Sequence, residues 1–163
     1  MEIVVFMNTM NNIYEPLKKG MCLLTAGSIN NYNTMTIGWG TIGVLWSKPV
    51  FIVYVKPIRY TYEFMESAEY FTVSFYDDIY KKEIAYLGTK SGRNTNKVFD
   101  VDFHPVEIEG YAAVSFKEAK HTIICKKIYS DIFNDSVLDG IKDKYYKDEP
   151  YHKFYIGEIV LEK

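Results

Sequence analysis

The chain has few of the residues that hold metal ions or cross-link small proteins. Its 2 cysteines, Cys22 and Cys125, are far apart and form no C-x-x-C pair. Its 3 histidines, His104, His121 and His152, lack metal-ligand spacing. His152 stands in an aromatic run over residues 151–155 and could line a pocket, but we expect an exposed histidine at the start of a strand. We therefore expect two reduced, half-buried thiols and no metal site. No serine or cysteine stands in a pattern with histidine that would predict nucleophilic catalysis.

The chain also lacks an excess of charge and a long apolar run. Its 19 basic and 21 acidic side chains give a formal net charge of −2, which argues against nucleic acid or an anionic membrane as partner. No apolar run reaches the length of a membrane span. The first residues, MEIVVFMN, carry an acid at position 2 and too short an apolar stretch for a signal peptide. We expect a cytoplasmic protein.

Length and residue pattern predict the fold class. The 163 residues, 48% of them hydrophobic, suffice for a single domain over residues 1–163 with a full core. Segments rich in β-branched and aromatic residues predict the strands Met21–Ala26, Thr34–Gly40, Val50–Lys56, Phe71–Tyr76, Ala113–Phe116, His121–Tyr129 and Lys153–Leu161. Helical spacing predicts Tyr60–Ser67, Asp78–Leu87 with Gly88 as C-cap, and Ser136–Tyr145 with Ser136 as N-cap. Strands dominate and helices do not alternate with them, so we expect a mainly β protein, an antiparallel barrel with peripheral helices.

One motif resembles a dinucleotide-binding fingerprint, but the sequence around it does not fit that motif. Residues 38–43 spell G-x-G-x-x-G, and Glu63 follows at the expected distance. The fingerprint needs a helix after its glycines, but Pro49 stops any helix within two turns and the next apolar run is strand-like. We interpret these glycines as part of a bent strand where a backbone or a flat ligand comes close.

Two short clusters combine cations with hydroxyl groups. The first, Arg59-Tyr60-Thr61-Tyr62, stands where a strand ends and a helix begins, and a helix N-terminus offers free N–H groups to an anion. The second, Gly88-Thr89-Lys90-Ser91-Gly92-Arg93, follows a helix, and Lys97 lies nearby. Taken separately, the first cluster is explained by a plain N-cap with an exposed arginine, and the second by a solvated, charged loop. Together they predict a site for one phosphate.

The segment between residues 33 and 39 is a candidate for holding a flat heterocycle. Thr34 and Thr36 fall on one face of the predicted strand, and Met35 and Ile37 on the other. The glycines beside Trp39 leave the backbone accessible to hydrogen bonds. Trp39 fits two interpretations, a wall of the ligand site or a side chain packed in the core.

The order of these motifs resembles a known family. N-x-M-T-x-x-W, a K-P strand end with R-Y-T-Y-E-F, then F-T-V-S-F and G-T-K-S-G-R-x-x-x-K look like the flavin reductase-like, FMN-binding split-barrel family. The resemblance is closest to its flavoredoxin-like branch, whose final strand is similar to residues 151–159. It runs from about Gly20 to Glu158 and is less clear at Met1–Lys19 and Asp131–Pro150, regions that could cover a flavin or complete an interface.

The resemblance implies a split β-barrel homodimer with FMN near the subunit interface. By that analogy, one set of residues lies along the isoalloxazine ring and ribityl chain: Asn33, Thr34, Met35, Thr36 and Ile37. Another set surrounds the phosphate: Arg59, Tyr60, Thr61, Lys90, Ser91, Gly92 and Lys97, with Arg93 as a secondary candidate. Such a protein needs no catalytic side chain for electron transfer, because the flavin carries the chemistry.

Three functional hypotheses follow. The first is an FMN-dependent oxidoreductase that takes electrons from NADH or NADPH and passes them to an acceptor. The second is an FMN-carrying electron-transfer protein reduced by another redox protein. The third is a non-redox module that binds a small ligand, in which both clusters are ordinary solvated loops.

Overall fold

The structure is a computed structural model that describes residues 13–163; the segment MEIVVFMN lies outside the described residues. Its helices are α1 (Tyr14–Lys18), α2 (Tyr60–Ser67), α3 (Lys81–Thr89), α4 (Lys97–Asp100) and α5 (Asp139–Tyr145), with a 3-10 turn at Asp78–Tyr80. Its strands are β1 (Cys22–Ser28), β2 (Asn31–Ile37), β3 (Gly40–Leu45), β4 (Lys48–Val55), β5 (Tyr70–Phe75), β6 (Pro105–Glu107), β7 (Val114–Phe116), β8 (His121–Ile132) and β9 (Lys153–Glu162). None of the described helices has the length and apolar character needed to span a bilayer.

Seven strands form one antiparallel sheet in the order β2-β1-β5-β8-β9-β4-β3. Strands β6 and β7 pair separately. The helices do not alternate regularly with the strands along the chain. This confirms the predicted mainly β class with peripheral helices.

The main sheet is rolled around its core without closing. Met35 of β2, at one edge, shares a core with Phe51 of β4, five places away in the sheet, and with Phe71 and Ile123 between them. Strands so far apart in the sheet order meet only if the sheet curves strongly. The pairing of β8 with β9 shifts register at two points, and such irregularities bend strands.

A second core holds the helices that frame the site. Side chains alternate along β1, so that Leu24 enters the main core while Leu23 packs on the opposite face. There Leu23 meets Ile84 and Leu87 of α3 and Val98 of α4. This packing fixes the end of α3, and therefore the loop over residues 90–96, beside the β1–β2 edge of the sheet.

The predicted strand Thr34–Gly40 is wrong at its C-terminal end. β2 ends at Ile37, the chain bends at Gly38 and Trp39, and β3 begins at Gly40 on the far edge of the sheet. A Cβ on Gly40 would lie 2.8 Å from Cε1 of Phe51, so this glycine permits the close approach expected for it. Because a strand follows these glycines rather than a helix, the rejection of the dinucleotide fingerprint is confirmed.

The predicted helix Tyr60–Ser67 is confirmed, but Gly88 is not a C-cap. After the 3-10 turn, α3 continues through Gly88 to Thr89, and Lys90 is the C-cap. Gly88 has a packing role instead, since a Cβ there would lie 2.7 Å from Cβ of Thr36 on β2. Glycine lets α3 lie directly against the strand.

The third predicted helix begins later than expected. α5 starts at Asp139 with Leu138 as N-cap, and Ser136 donates its backbone N–H to Oδ1 of Asn134 at 2.9 Å. Ser136 therefore belongs to a side-chain turn before the helix. The sequence interpretation also missed α1, α4, β3 and β6.

The two cysteines are fully buried rather than half-buried. Cys22 and Cys125 are free thiols in the main core. Burial raises the pKa of Cys22 to about 12 and raises that of Cys125 as well. Both are therefore protonated, unreactive core side chains.

Candidate functional site

The first cation cluster lies at the N-terminus of α2. The chain leaves β4 at Val55 and enters α2 at Tyr60, with Arg59 as the N-cap residue. Arg59 makes no side-chain cap, and the first N–H groups of a helix have no intrahelical acceptor. Thr61, only 1% exposed, adds a hydroxyl group beside them. This end of α2 is thus rich in donors and carries a partial positive charge.

The second cluster is tied to the same place by backbone contacts. Lys97, 3% exposed at the start of α4, donates from Nζ to the carbonyl of Leu87 at 2.8 Å and to that of Lys90 at 3.0 Å. Arg59 donates from Nη2 to the carbonyl of Gly88 at 3.2 Å. Both cations therefore hold the same short stretch of chain at the end of α3, and the two clusters converge as predicted.

One cavity of about 240 Å³ lies between these elements, and we call it the cation cavity. It is lined by Asn33, Met35, Lys97 and residues 58–61 and 88–92. No acidic side chain lines it within the described part of the chain. A group with several negatively charged oxygens is the natural complement of such a lining.

Asn33 connects β2 to both clusters. Its Nδ2 donates to Oγ1 of Thr61 at 2.9 Å, and this bond is buried. Because Thr61 accepts that bond, its own hydroxyl proton remains available for a ligand. On the other side, a Cβ on Gly92 would collide with Oδ1 of Asn33, so glycine is required for the loop to come this close.

The electrostatics of the cavity favour an anion. Burial, followed by the nearby charge of Arg59, lowers the pKa of Lys97 to about 8. Burial also lowers the pKa of Arg59 from its ordinary value. Two of the three donors of Lys97 are used on carbonyl groups, which leaves one for an anion. A negative ligand would offset the desolvation of both cations.

The remaining basic residues lie nearer the surface. The Lys90 ammonium lies 5.9 Å from the ring centre of Tyr86, and Lys90 itself is exposed at the rim of the cavity. Arg93 pairs with Glu63 at 2.6 Å and lies over the ring of Tyr60. The solvated-loop interpretation therefore describes Lys90 and Arg93, whereas it is wrong for Lys97, and Arg59 is not the exposed arginine of a plain cap.

The β2 candidates divide into two groups. Asn33 and Met35 line the cation cavity with their side chains. Thr34 and Thr36 instead bond backbone carbonyls of β1 and α3, and Ile37 packs in the main core. Since β2 is an edge strand, alternate backbone N–H and C=O groups face away from β1. Thr34, Thr36 and Ile37 therefore contact a ligand through the backbone or not at all, and the backbone groups of Thr34 and Thr36 face the opposite way from those of Ile37.

Trp39 belongs to a different cavity, which we call the aromatic cavity. Its volume is about 450 Å³, and it is lined by Tyr14, Leu17, Lys18, Tyr54, Phe133, Tyr146, His152 and residues 38–41. Trp39 is 48% exposed, and its ring lies 5.2 Å from that of Tyr145 and 5.1 Å from that of His152. It is not a core residue, and it does not line the cation cavity.

His152 is a member of this cavity that the sequence interpretation missed, because an exposed histidine at a strand start was expected. It is half-buried, with Nδ1 2.8 Å from the hydroxyl of Tyr146. Burial, followed by the charge of Lys56, lowers its pKa to about 4, so the imidazole is neutral at physiological pH. The run of aromatic residues over 151–155 was the signal that could have located it.

Known structures share this architecture. A flavoredoxin from Methanosarcina acetivorans is 25% identical over 87% of this chain and 66% of its own, with a TM-score of 0.70. The chain therefore spans just under two thirds of that flavoredoxin. An FMN-binding protein from Thermus thermophilus (19% identical, TM-score 0.68) matches over 87% of this chain and 68% of its own. An NADH:FAD oxidoreductase from Streptomyces globisporus (17% identical, TM-score 0.65) matches over 88% of this chain and 73% of its own. The latter two similarities concern the fold alone.

The fold and the sequence agree on the class of protein. The rolled antiparallel sheet with helices at its edges is the fold of flavin reductase-like proteins and flavoredoxins. The family model described as flavin reductase like domain matches residues 14–160, and the chain belongs to that family. No curated protein sequence matches it significantly. The resemblance inferred from the motifs is thereby confirmed.

Proposed function

We propose that this protein binds FMN and that the cation cavity holds the phosphate group of the cofactor. The observation that carries the proposal is the convergence of half-buried Arg59 and buried Lys97 on the donor-rich end of α2. None of the described residues that line the cavity is acidic. The phosphate ligands would be Arg59, Tyr60, Thr61, Lys90, Ser91, Gly92 and Lys97. The rest of the flavin would be held by Asn33 and Met35 through their side chains and by Thr34, Thr36 and Ile37 through the backbone of β2.

The residues present fit this group in number and chemistry. A phosphate dianion needs several donors, and the cavity offers the third N–H of Lys97, the hydroxyl of Thr61 and the free N–H groups of α2. A single unit charge pair at about 4 Å contributes roughly 4 kcal/mol at an effective dielectric near 20, before desolvation is subtracted. Two such cations make micromolar binding attainable.

The proposed activity is that of an oxidoreductase that moves electrons from NADH or NADPH through FMN to an acceptor. Bound FMN would supply the redox chemistry, and the protein would bind, orient and shield it. The aromatic cavity supports a second ligand, because Trp39 and neutral His152 give one of its walls a flat, uncharged surface. The similarity to an NADH:FAD oxidoreductase fold is consistent with a nicotinamide donor.

A second candidate function is favoured by one observation. The structure that is 25% identical to this chain is a flavoredoxin. In that case the protein carries electrons on FMN and is reduced by another redox protein rather than by a nicotinamide. The final acceptor would be a redox protein or a small molecule.

Anaerobic reduction distinguishes the oxidoreductase from the electron carrier. Purified protein loaded with FMN is mixed with NADH, with NADPH and with a reduced ferredoxin, and the flavin absorbance is followed in a stopped-flow instrument. The oxidoreductase proposal predicts rapid bleaching by at least one nicotinamide. Flavin that binds but bleaches only with ferredoxin would replace it with the carrier function.

The same protein tests the non-redox hypothesis. A protein that remains colourless after FMN is added, and whose cavity binds a small ligand regardless of flavin, would support a simple binding module. In that case the proposed role of the cation cavity fails before any question of electron donor arises.

A further inference from the structure

The chain between β8 and β9 leaves the sheet and returns to the same place. Ile132 of β8 pairs with Lys153 of β9, and the backbone N–H of Phe133 donates to the carbonyl of His152 at 3.1 Å. Residues 134–151 therefore form a loop whose two ends lie together, and this loop contains α5. We call it the α5 loop.

The α5 loop has internal contacts but no core. None of its residues is buried, and Leu138 and Ile141 are exposed. The hydroxyl of Tyr151 donates to Oδ1 of Asp135 at 2.7 Å, which joins the two ends of the loop. A helix as short as α5 is not stable in water by itself. Its structure therefore depends on side chains of the loop that reach the rest of the protein.

These side chains lie at the C-terminal end of the loop, over the aromatic cavity. Tyr145 packs edge-on against Trp39, with ring centres 5.2 Å apart. Tyr146 lines the cavity, and its hydroxyl lies 2.8 Å from Nδ1 of His152. Movement of the loop away from the sheet would therefore remove one wall of the cavity and expose more of Trp39.

An ion pair fastens this end of the loop to the sheet. Glu149 accepts a hydrogen bond from Nζ of Lys56, the residue that follows β4. The same ammonium lies 5.8 Å from the ring centre of Tyr146. The side chain of Glu149 is about half exposed, and an ion pair at the surface contributes little free energy and is weakened by salt. Such a contact can open and close readily.

From these contacts we propose that the α5 loop is a lid on the aromatic cavity and that the Lys56–Glu149 pair is its latch. The lid opens to admit a flat, uncharged ring beside Trp39 and His152, and then closes Tyr146 over it. Closure excludes water from the cavity. The inference rests on the proposed function for the identity of this ligand, whereas the opening is a property of the flavin-free chain.

Hydrogen exchange of the flavin-free protein, followed by mass spectrometry, tests the lid. The amides of Lys142 and Tyr146 are suitable reporters, because they donate to the carbonyls of Leu138 and Lys142 inside the loop. These hydrogen bonds persist only while α5 is held against the protein, so their exchange measures how often the latch opens.

The wild type is compared with Glu149→Gln, which keeps the size of the side chain and removes its charge. Glu158→Gln is the matched control. It removes another ion pair, in which Lys48 lies 3.0 Å from Glu158 at the opposite end of β4. Acrylamide quenching of tryptophan fluorescence is measured on the same proteins. The second tryptophan, Trp46, packs against Tyr129 outside the loop, so differences between variants report on Trp39.

We expect Glu149→Gln to speed exchange of the α5 amides about two- to fivefold, the change that loss of one surface ion pair produces, and to leave β8 and β9 unchanged. Raising the salt concentration from about 0.05 M to about 0.5 M should have the same effect on the wild type and little effect on Glu149→Gln. Acrylamide quenching should increase with Glu149→Gln, and Glu158→Gln should change neither measurement.

Three results would overturn the inference. If neither Glu149→Gln nor salt affects the α5 amides, the ion pair is not a latch. If Glu158→Gln speeds their exchange equally, the effect is not local. If exchange becomes faster but acrylamide quenching stays the same, the loop moves without uncovering the cavity.

The ligand is tested separately with NAD⁺, which does not reduce a flavin, added to FMN-loaded protein. A nicotinamide in the aromatic cavity should slow exchange of the α5 amides, because the closed lid contacts it. If NAD⁺ has no effect while Glu149→Gln behaves as expected, the lid stands and the nicotinamide donor of the proposed function fails.

Discussion

Lys97 shows how a single residue can set the properties of the site. It is nearly fully buried, its donors hold the end of α3, and no carboxylate among residues 13–163 lines the cavity around it. Burial and Arg59 make its charged form unfavourable, which is why its pKa falls to about 8. A phosphate dianion beside it would favour the charged form and raise that pKa again.

The affinity for FMN should therefore depend on pH. Above pH 8 Lys97 is neutral in the flavin-free protein, so binding must take up a proton. We expect FMN affinity to fall by up to about tenfold per pH unit above pH 8, measured by fluorescence titration between pH 7 and 9.5.

The stability of the flavin-free protein should change in the opposite direction. The folded pKa is depressed below 10.5, so the unfavourable contribution of Lys97 is complete below pH 8 and declines as the pH rises from about 8 towards 10.5.

Lys97→Met identifies the source of this dependence. The variant keeps most of the side-chain volume and removes the charge. It should bind FMN more weakly than the wild type at pH 7 and should show no fall in affinity between pH 8 and 9.5. A variant that retains the wild-type pH profile would show that another group titrates.

At the residue scale, the sequence predicted the types of side chain but not their burial. Arg59, Thr61 and Lys97 could be singled out because charge, hydroxyl groups and a helix start are local features. The bond from Asn33 to Thr61 joins residues that are 28 positions apart, and local pattern does not reveal it. His152 was assigned to the surface for the same reason. Its ring is covered by Trp39, which is distant in sequence, and by Tyr146, which lies on the other side of a loop.

At the scale of elements, the contact of α3 with β2 positions the loop of the second cluster. Gly88 is the closest point of that contact, and its replacement by alanine should separate the two elements. A Cβ at 2.7 Å from Cβ of Thr36 must push the helix away, although alanine itself favours a helix. We expect Gly88→Ala to lower the free energy of unfolding by about 1–2 kcal/mol, measured by urea denaturation.

Gly140→Ala provides the matched control for this substitution. Gly140 lies in α5 and has nothing within 4 Å of an added Cβ, so only helix propensity changes. This variant should be unchanged or more stable by up to about 1 kcal/mol. Equal stabilisation by both substitutions would mean that α3 and β2 are less tightly packed than the distance implies.

Elements with strong local patterns were predictable, and β3 was not. The β-branched and aromatic runs of β4, β5 and β8 predicted those strands within a few residues. β3 contains two glycines, and none of its residues is fully buried. It is a strand because it pairs with β4 from Leu45↔Lys48 to Gly40↔Val53, which is a property of tertiary structure.

At the scale of the whole molecule, the sequence predicted the fold class but could not predict the order of the strands in the sheet. Counting strands and noting that helices do not alternate with them was enough to exclude a doubly wound sheet. The order β2-β1-β5-β8-β9-β4-β3 depends on pairings such as Tyr54↔Phe154, whose partners are distant in sequence. Only the resemblance to a family with a split barrel supplied the rolled shape beforehand.

The surface of the whole molecule supports the homodimer that this resemblance implied, and we propose that assembly. Large apolar side chains are exposed where β3 turns into β4 and on β8, with Val44 73% and Trp46 61% exposed. Trp46 meets the ring of Tyr129 edge-on and has a φ of 52°, a conformation that asparagine adopts more readily. Light scattering should give twice the chain mass for the wild type. Trp46→Asn should shift it towards the monomer without loss of folding, and a wild-type monomer would refute the proposal.

The central claim is that two cation clusters, distant in sequence, hold a single phosphate group. The most direct measurement compares the dissociation constants of FMN and riboflavin, which differ by that phosphate, for the wild type and for the double variant Arg59→Ala/Lys97→Met. We predict that the wild type binds FMN at least about 100-fold more tightly than riboflavin, as expected for two charge-assisted contacts, and that the double variant loses most of this difference. Equal affinity of the wild type for FMN and riboflavin would contradict the account.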